Sequence, residues 1–270
     1  MLVCSIDGAA TVRAEDAVLE DVDPTDVSPP RRTTFAEARI DAAHVDDAGT
    51  RERLVRAVRL AVEADAETSP SDARAKRRHA ALDVVTELET VLRRRLADQT
   101  SRSEIRAAWL GMLGDETRDD VAGTRRKHGR PALRAYLESG RAPSLAVMGG
   151  WLRPVWRVPP PELADFIQLS LGVPRGLEED VFLAGELRNV LAHAADYEVD
   201  ATRRLGPVEG LVRRVQVPLS AGRGGVSTGP AGVELEVLPE SISWLEWLAP
   251  SVLARRSTTE RPESVSRVGR

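Results

Sequence analysis

The chain holds one cysteine, Cys4, which excludes a disulfide framework and a cysteine-based zinc site. No stretch approaches the ~20 consecutive apolar residues of a membrane span, and the opening "MLVC" lacks the charged and apolar regions of a signal peptide. A cytoplasmic protein without membrane attachment is therefore expected. Lysine is nearly absent: only Lys76 and Lys127 stand among 38 basic residues, an arginine bias that accompanies GC-rich bacterial genomes. Asparagine is scarcer still, with Asn189 the single one in 270 residues.

What is present reads as a soluble globular chain, 42% hydrophobic and 30% charged. The net charge of -4 hides an uneven spread, because residues 1–50 are strongly acidic while 102–157 are net basic. Within that basic middle, "RRKHGR" offers Arg125, Arg126, Lys127 and Arg130 as candidate contacts to an RNA backbone. A solvated arginine-rich helix surface is the equally simple reading.

Residues 1–32 show no period and read as a disordered acidic arm, and 255–270 as a disordered tail. Between them the signal is helical over 33–206, with a core at about 70–200. Helices are expected at 34–47, 51–67, 69–98, from Ser101 onward, at 131–139, at 162–171 and as one unit over 176–200. "GGWLRPVWRVPPP", 149–161, reads as a Pro/Trp-rich connector. Over 207–254 the period changes to that of a β-hairpin followed by a short closing helix, in which Trp244 and Trp247 are expected as core anchors. The fold class is thus mainly α, a helical bundle with a small C-terminal β-hairpin and flexible termini.

The stretch "ELRNVLAHAADY", 186–197, carries the lone asparagine. At about 100° per residue, Leu183, Leu187, Val190, Leu191 and Ala194 form the core face. Arg188, Ala192, Gly185, Asp196, Asn189 and His193 fall on the opposite arc. Histidine exchanges protons near neutral pH, and an arginine fork matches phosphate oxygens. With no metal cluster in reach and no cofactor implied, the reaction such a trio suits is attack of an RNA 2′-OH on its own 3′-phosphate. Arginine followed by histidine five positions on occurs three times, at Arg39/His44, Arg74/His79 and Arg188/His193. Only the third has an asparagine in second place, and the first two read as solvated surface pairs.

"RNVLAH" resembles the active-site motif of HEPN domains, an arginine, a polar residue that is often asparagine, and a histidine a few positions later. The resemblance implies a small α-helical bundle that dimerises through its motif helices to form a metal-independent ribonuclease site, often as a toxin or phage-defence effector. It implies that Arg188 binds the scissile phosphate, His193 is general acid/base and Asn189 supports them. Gly185, Ala192 and Asp196 would line the homodimer interface. An antitoxin or a nucleotidyltransferase is the implied partner. In one branch a tyrosine two residues after the histidine is modified by that nucleotidyltransferase. Here Ala195 takes that place and Tyr197 follows two residues later. Two alternatives stay open: a non-catalytic HEPN-like RNA- or protein-binding module, and a helical regulatory or scaffold protein.

Overall fold

In a computed structural model the described residues are 45, 47–113, 129–153, 159–200, 202–217 and 232–253. The expected arm and tail, the helix at 34–47 with the Arg39/His44 pair (all but residues 45 and 47, which are not helical), residues 125–128 and the Gly-rich hairpin loop lie outside them. The described chain is mostly helical with one two-stranded antiparallel sheet, as the sequence periodicity predicts.

The axis of the bundle is α2 (Pro70–Thr100), about 46 Å long at 1.5 Å per residue. It starts where Ser69 caps it, the hydroxyl accepting from Asp72 N, with Pro70 in the first turn. Its stripe of Val85, Leu88, Leu92 and Leu96 is fully buried. Around α2 pack α1 (Ala48–Asp65), α3 (Ser103–Leu113), α5 (Leu145–Leu152), α6 (Pro161–Leu171) and α7 (Glu178–Ala192), while α4 (Arg130–Ser139) packs on α3 and reaches the end of α2 through the Tyr136–Thr100 hydrogen bond. Left-handed glycines, Gly140 and Gly172, close α4 and α6. Between α1 and α2, the buried Glu87 carboxylate accepts from the Thr50 hydroxyl (2.6 Å) and from Arg53 Nη2 (2.7 Å). Burial works to raise the Glu87 carboxyl, but the hydrogen bonds from Arg53 and Thr50 outweigh it and hold it below the usual glutamate range.

The chain continues through α8 (Ala194–Val199) to strands β1 (Val212–Val217) and β2 (Gly232–Val237), paired with Val212 opposite Val237 and Arg214 opposite Leu235. The closing α9 (Pro239–Leu253) packs on α2. One hydrophobic cluster runs from α1 through the bundle to Val212, Leu235, Val237 and Leu248, so hairpin and α9 share the bundle's core. Trp244 and Trp247 pack against that core half-buried, and Trp244 Nε1 donates to Asp180 Oδ1 at 2.8 Å. One half-buried guanidinium ties three elements together. Arg95 of α2 donates to Leu171 O at the end of α6, and to Val252 O and Leu253 O at the end of α9. Burial alone pushes its pKa down, and the two helix C-termini supply the negative potential that keeps a cation there.

Two expectations are corrected. The connector expected from residue 149 begins later, because "LAVMGGWL" forms α5, capped by Ser144. This helix is apolar on all sides and buried nearly throughout, so it has no polar face to produce a helical period. The single helix expected over 176–200 is broken. At His193 the backbone leaves the helical well (φ -113°, ψ 29°), so α7 ends at Ala192 and α8 begins at Ala194.

Candidate active site at the α7–α8 break

The break decides where the motif residues stand. His193 N still donates to Asn189 O (3.2 Å) and closes the last turn of α7, while Asp196 N donates to His193 O (3.0 Å) and opens α8. The imidazole is thereby carried on a corner, 62% exposed, with Nδ1 3.8 Å from Asp196 Oδ2. Asp196 is exposed and also meets Arg203 Nη1 at 3.3 Å. The Arg203 guanidinium lies over the Tyr197 ring, its Cζ 4.2 Å from the ring centre. Arg214 holds this corner from below, donating to the carbonyls of Tyr197 and Arg203. Glu198 fastens α8 to the rest, accepting from Arg78 (2.8 Å) and from Leu235 N of β2 (3.1 Å). The hairpin therefore buttresses the helix that follows the histidine.

Arg188 turns the other way. Its Nε is buried 3.4 Å from Glu89 Oε2, without the alignment of a hydrogen bond, and the side chain as a whole is 32% exposed. Glu89, 3% exposed, also receives Arg93 (2.6 Å) and the backbone N–H of Leu145 at the start of α5 (3.1 Å). Two guanidiniums thus face one buried carboxylate. No hydrogen bond or ion pair joins Arg188 to His193 among the described residues, so the two bracket the end of α7 without forming a pair.

Gly185 is not open to a second copy. A Cβ there would lie 2.2 Å from Ala146 N and 2.4 Å from Ala146 Cα, so the site is filled by α5 of the same chain. The small residue thus permits close approach of a neighbouring helix inside the fold. Ala192 and Asp196 are exposed, and Asn189 is half-buried. Arg130 begins α4 and is half-buried, with a partner of its own. Of the other arginine–histidine pairs, Arg74 is bound to Glu234 of β2 at 2.8 Å and His79 is exposed. Among the described residues no group of three or more His, Cys, Asp or Glu side chains is placed to hold a metal ion, and no helix is long and apolar enough to cross a membrane.

A shallow cleft lined by Phe166, Leu169, Val173 and Arg175 sits on α6. Gln168 bonds Glu178 there, in the first turn of α7, so some 20 Å of helix separates the cleft from His193 at about 1.5 Å per residue.

No family model, curated protein or solved structure matches the chain. The geometry stands alone. Sequence reasoning missed Arg203, Arg214, Glu198 and Glu89 as companions of the motif. Glu89 had a readable signal, because it falls within the apolar stripe of Val85, Leu88 and Leu92 at helical spacing, and an acid in such a stripe requires a partner. Arg203 gave none, since it reaches Asp196 only through the turn after α8.

Proposed function

We propose that this protein is a metal-independent endoribonuclease that cuts RNA by 2′-OH attack and leaves 2′,3′-cyclic phosphate and 5′-OH ends, acting as a toxin or phage-defence effector. The observation that carries the reading is the exposed His193 imidazole on the α7–α8 corner, with Asn189 one turn before it and the Asp196 carboxylate beside Nδ1. A carboxylate near one imidazole nitrogen favours the protonated ring electrostatically and leaves the other nitrogen open to exchange protons with substrate. Arginine on this surface supplies positive charge for the anionic phosphorane. DNA, which lacks the 2′-OH, is not cut.

The motif's resemblance to HEPN domains supports the same reaction, together with a homodimer in which the open Ala192 and Asp196 surface meets a second copy. The decisive test is incubation of wild type and His193→Ala with single-stranded RNA in excess chelator, with the ends mapped. Cleavage by wild type alone, with cyclic-phosphate ends, is expected. Full activity in His193→Ala sinks the reading.

A second reading is favoured by the Arg188–Glu89 pair, which uses the motif arginine inside the fold: a non-catalytic RNA- or protein-binding module. RNA retention without cleavage under any condition would establish it.

A further inference from the structure

The two arginines near the break differ in what they must give up to reach a phosphate. Arg188 has its Nε edge turned inward to Glu89, a carboxylate 3% exposed. Pulling Arg188 away costs that buried carboxylate one of its two cations and leaves it to Arg93 and the Leu145 N–H, a larger loss than parting an exposed pair. Arg203 is held by Asp196 and by the Tyr197 ring on a surface where its side chain is 43% exposed, and an exposed pair is given up at little expense. Its backbone is fixed independently of its guanidinium. The amide donates to Asp200 O (3.2 Å), and the carbonyl accepts from Arg214. Stacking on Tyr197 restricts the long side chain before any ligand arrives, so less freedom is lost on binding. Arg203 also shares Asp196 with His193, which places one fork and one imidazole around the same carboxylate.

We propose that Arg203, and not the motif's own Arg188, holds the scissile phosphate at His193, and that Arg188 is a positioning residue locked to Glu89. The proposal rests on the ribonuclease reading. In the reaction the imidazole takes the 2′-hydroxyl proton, the O2′–P bond forms and the P–O5′ bond breaks. The 5′-oxygen leaves with a proton from water. Arg203 donates to the non-bridging oxygens as their charge grows, and Asp196 favours the protonated imidazole electrostatically.

The test uses the full chain with Arg203→Ala, Arg203→Lys and Arg188→Ala, a defined single-stranded RNA, and thermal unfolding of each variant. Arg203→Ala is expected to lower kcat by roughly a hundredfold at unchanged Tm, and Arg203→Lys to recover part of it. Arg188→Ala is expected to lower Tm, because Glu89 loses a partner. Wild-type kcat in Arg203→Ala overturns the assignment, as does a Tm loss in that variant equal to that of Arg188→Ala. A wild type that cuts nothing overturns the ribonuclease reading instead. The arginine is then decided by binding, with an RNA carrying a single 2′-deoxy position and the His193 imidazole proton signals followed by NMR. Perturbation in wild type that is lost in Arg203→Ala upholds the phosphate contact, and perturbation retained there overturns it.

Discussion

Replacing Gly185 with alanine sets two known effects against each other. In an unobstructed helix interior the change favours folding by about 1 kcal/mol, through lost backbone freedom in the unfolded chain. At Gly185 the added Cβ would sit 2.2 Å from Ala146 N, 2.4 Å from Ala146 Cα and 2.7 Å from Leu145 C, all atoms of the α5 backbone. No rotamer change relieves a clash with backbone. Restoring ordinary contact requires α5 and α7 to separate by about an ångström, and α5 is buried nearly throughout, so overpacking costs of about 1–3 kcal/mol or more apply. We expect Gly185→Ala to lose about 2 kcal/mol net and ~4–8 °C in Tm, measured by urea and thermal unfolding. Gly111 is the matched control, a helical glycine in α3 with open space where a Cβ would go, and Gly111→Ala is expected to gain roughly 0.5–1 kcal/mol. Gly149 meets Phe182 of α7 from the other side, its Cβ 2.5 Å from Phe182 Cα. One helix displacement relieves both clashes, so Gly149→Ala with Gly185→Ala should cost less than the sum of the two. A Gly185→Ala protein as stable as wild type would refute the reasoning and reopen that face to a second copy.

Other expectations follow from buried charges. Because Glu87 is held below the usual glutamate value, its contribution is complete above about pH 4.5 and fades as pH falls through its folded value. Glu87→Gln should therefore flatten the acid limb of a Tm-against-pH curve, and an unchanged limb would count against the clamp. Arg95→Met removes the donor from three carbonyls at two helix ends and should cost about 3 kcal/mol at roughly 1 per lost bond. A wild-type urea midpoint would contradict that. His193→Ala should leave Tm within about 1 °C, since exposed side chains of this kind contribute little to stability. A larger fall would show that the imidazole is structural.

Most helix ends were legible because their signals are local. Ser69 with Pro70, and the glycines at 140 and 172, mark starts and stops that depend only on neighbouring residues. The change of period after residue 208 likewise marks the hairpin. What stayed hidden depends on partners distant in the chain. The length and segregation of α5 could not be read from an all-apolar octamer. The break at His193 has no proline or glycine to announce it, and the residue's own hydrogen bonds carry the chain round the corner. The lone Asn189 was a sound marker of an unusual helix, yet the direction of its neighbour Arg188 is set by Glu89, nearly a hundred residues earlier in sequence.

The staple at Arg95 has a consequence for synthesis. A ribosome releases α2 early, but the α9 carbonyls that Arg95 binds lie 157 and 158 residues further on, some 8–32 s at ~5–20 residues per second. For that interval the Leu88, Leu92 and Leu96 stripe has no α9 to cover it, and the Arg95 guanidinium has at most the Leu171 carbonyl of α6 to bind. Chaperone demand on the nascent chain should therefore peak between the emergence of α2 and that of α9.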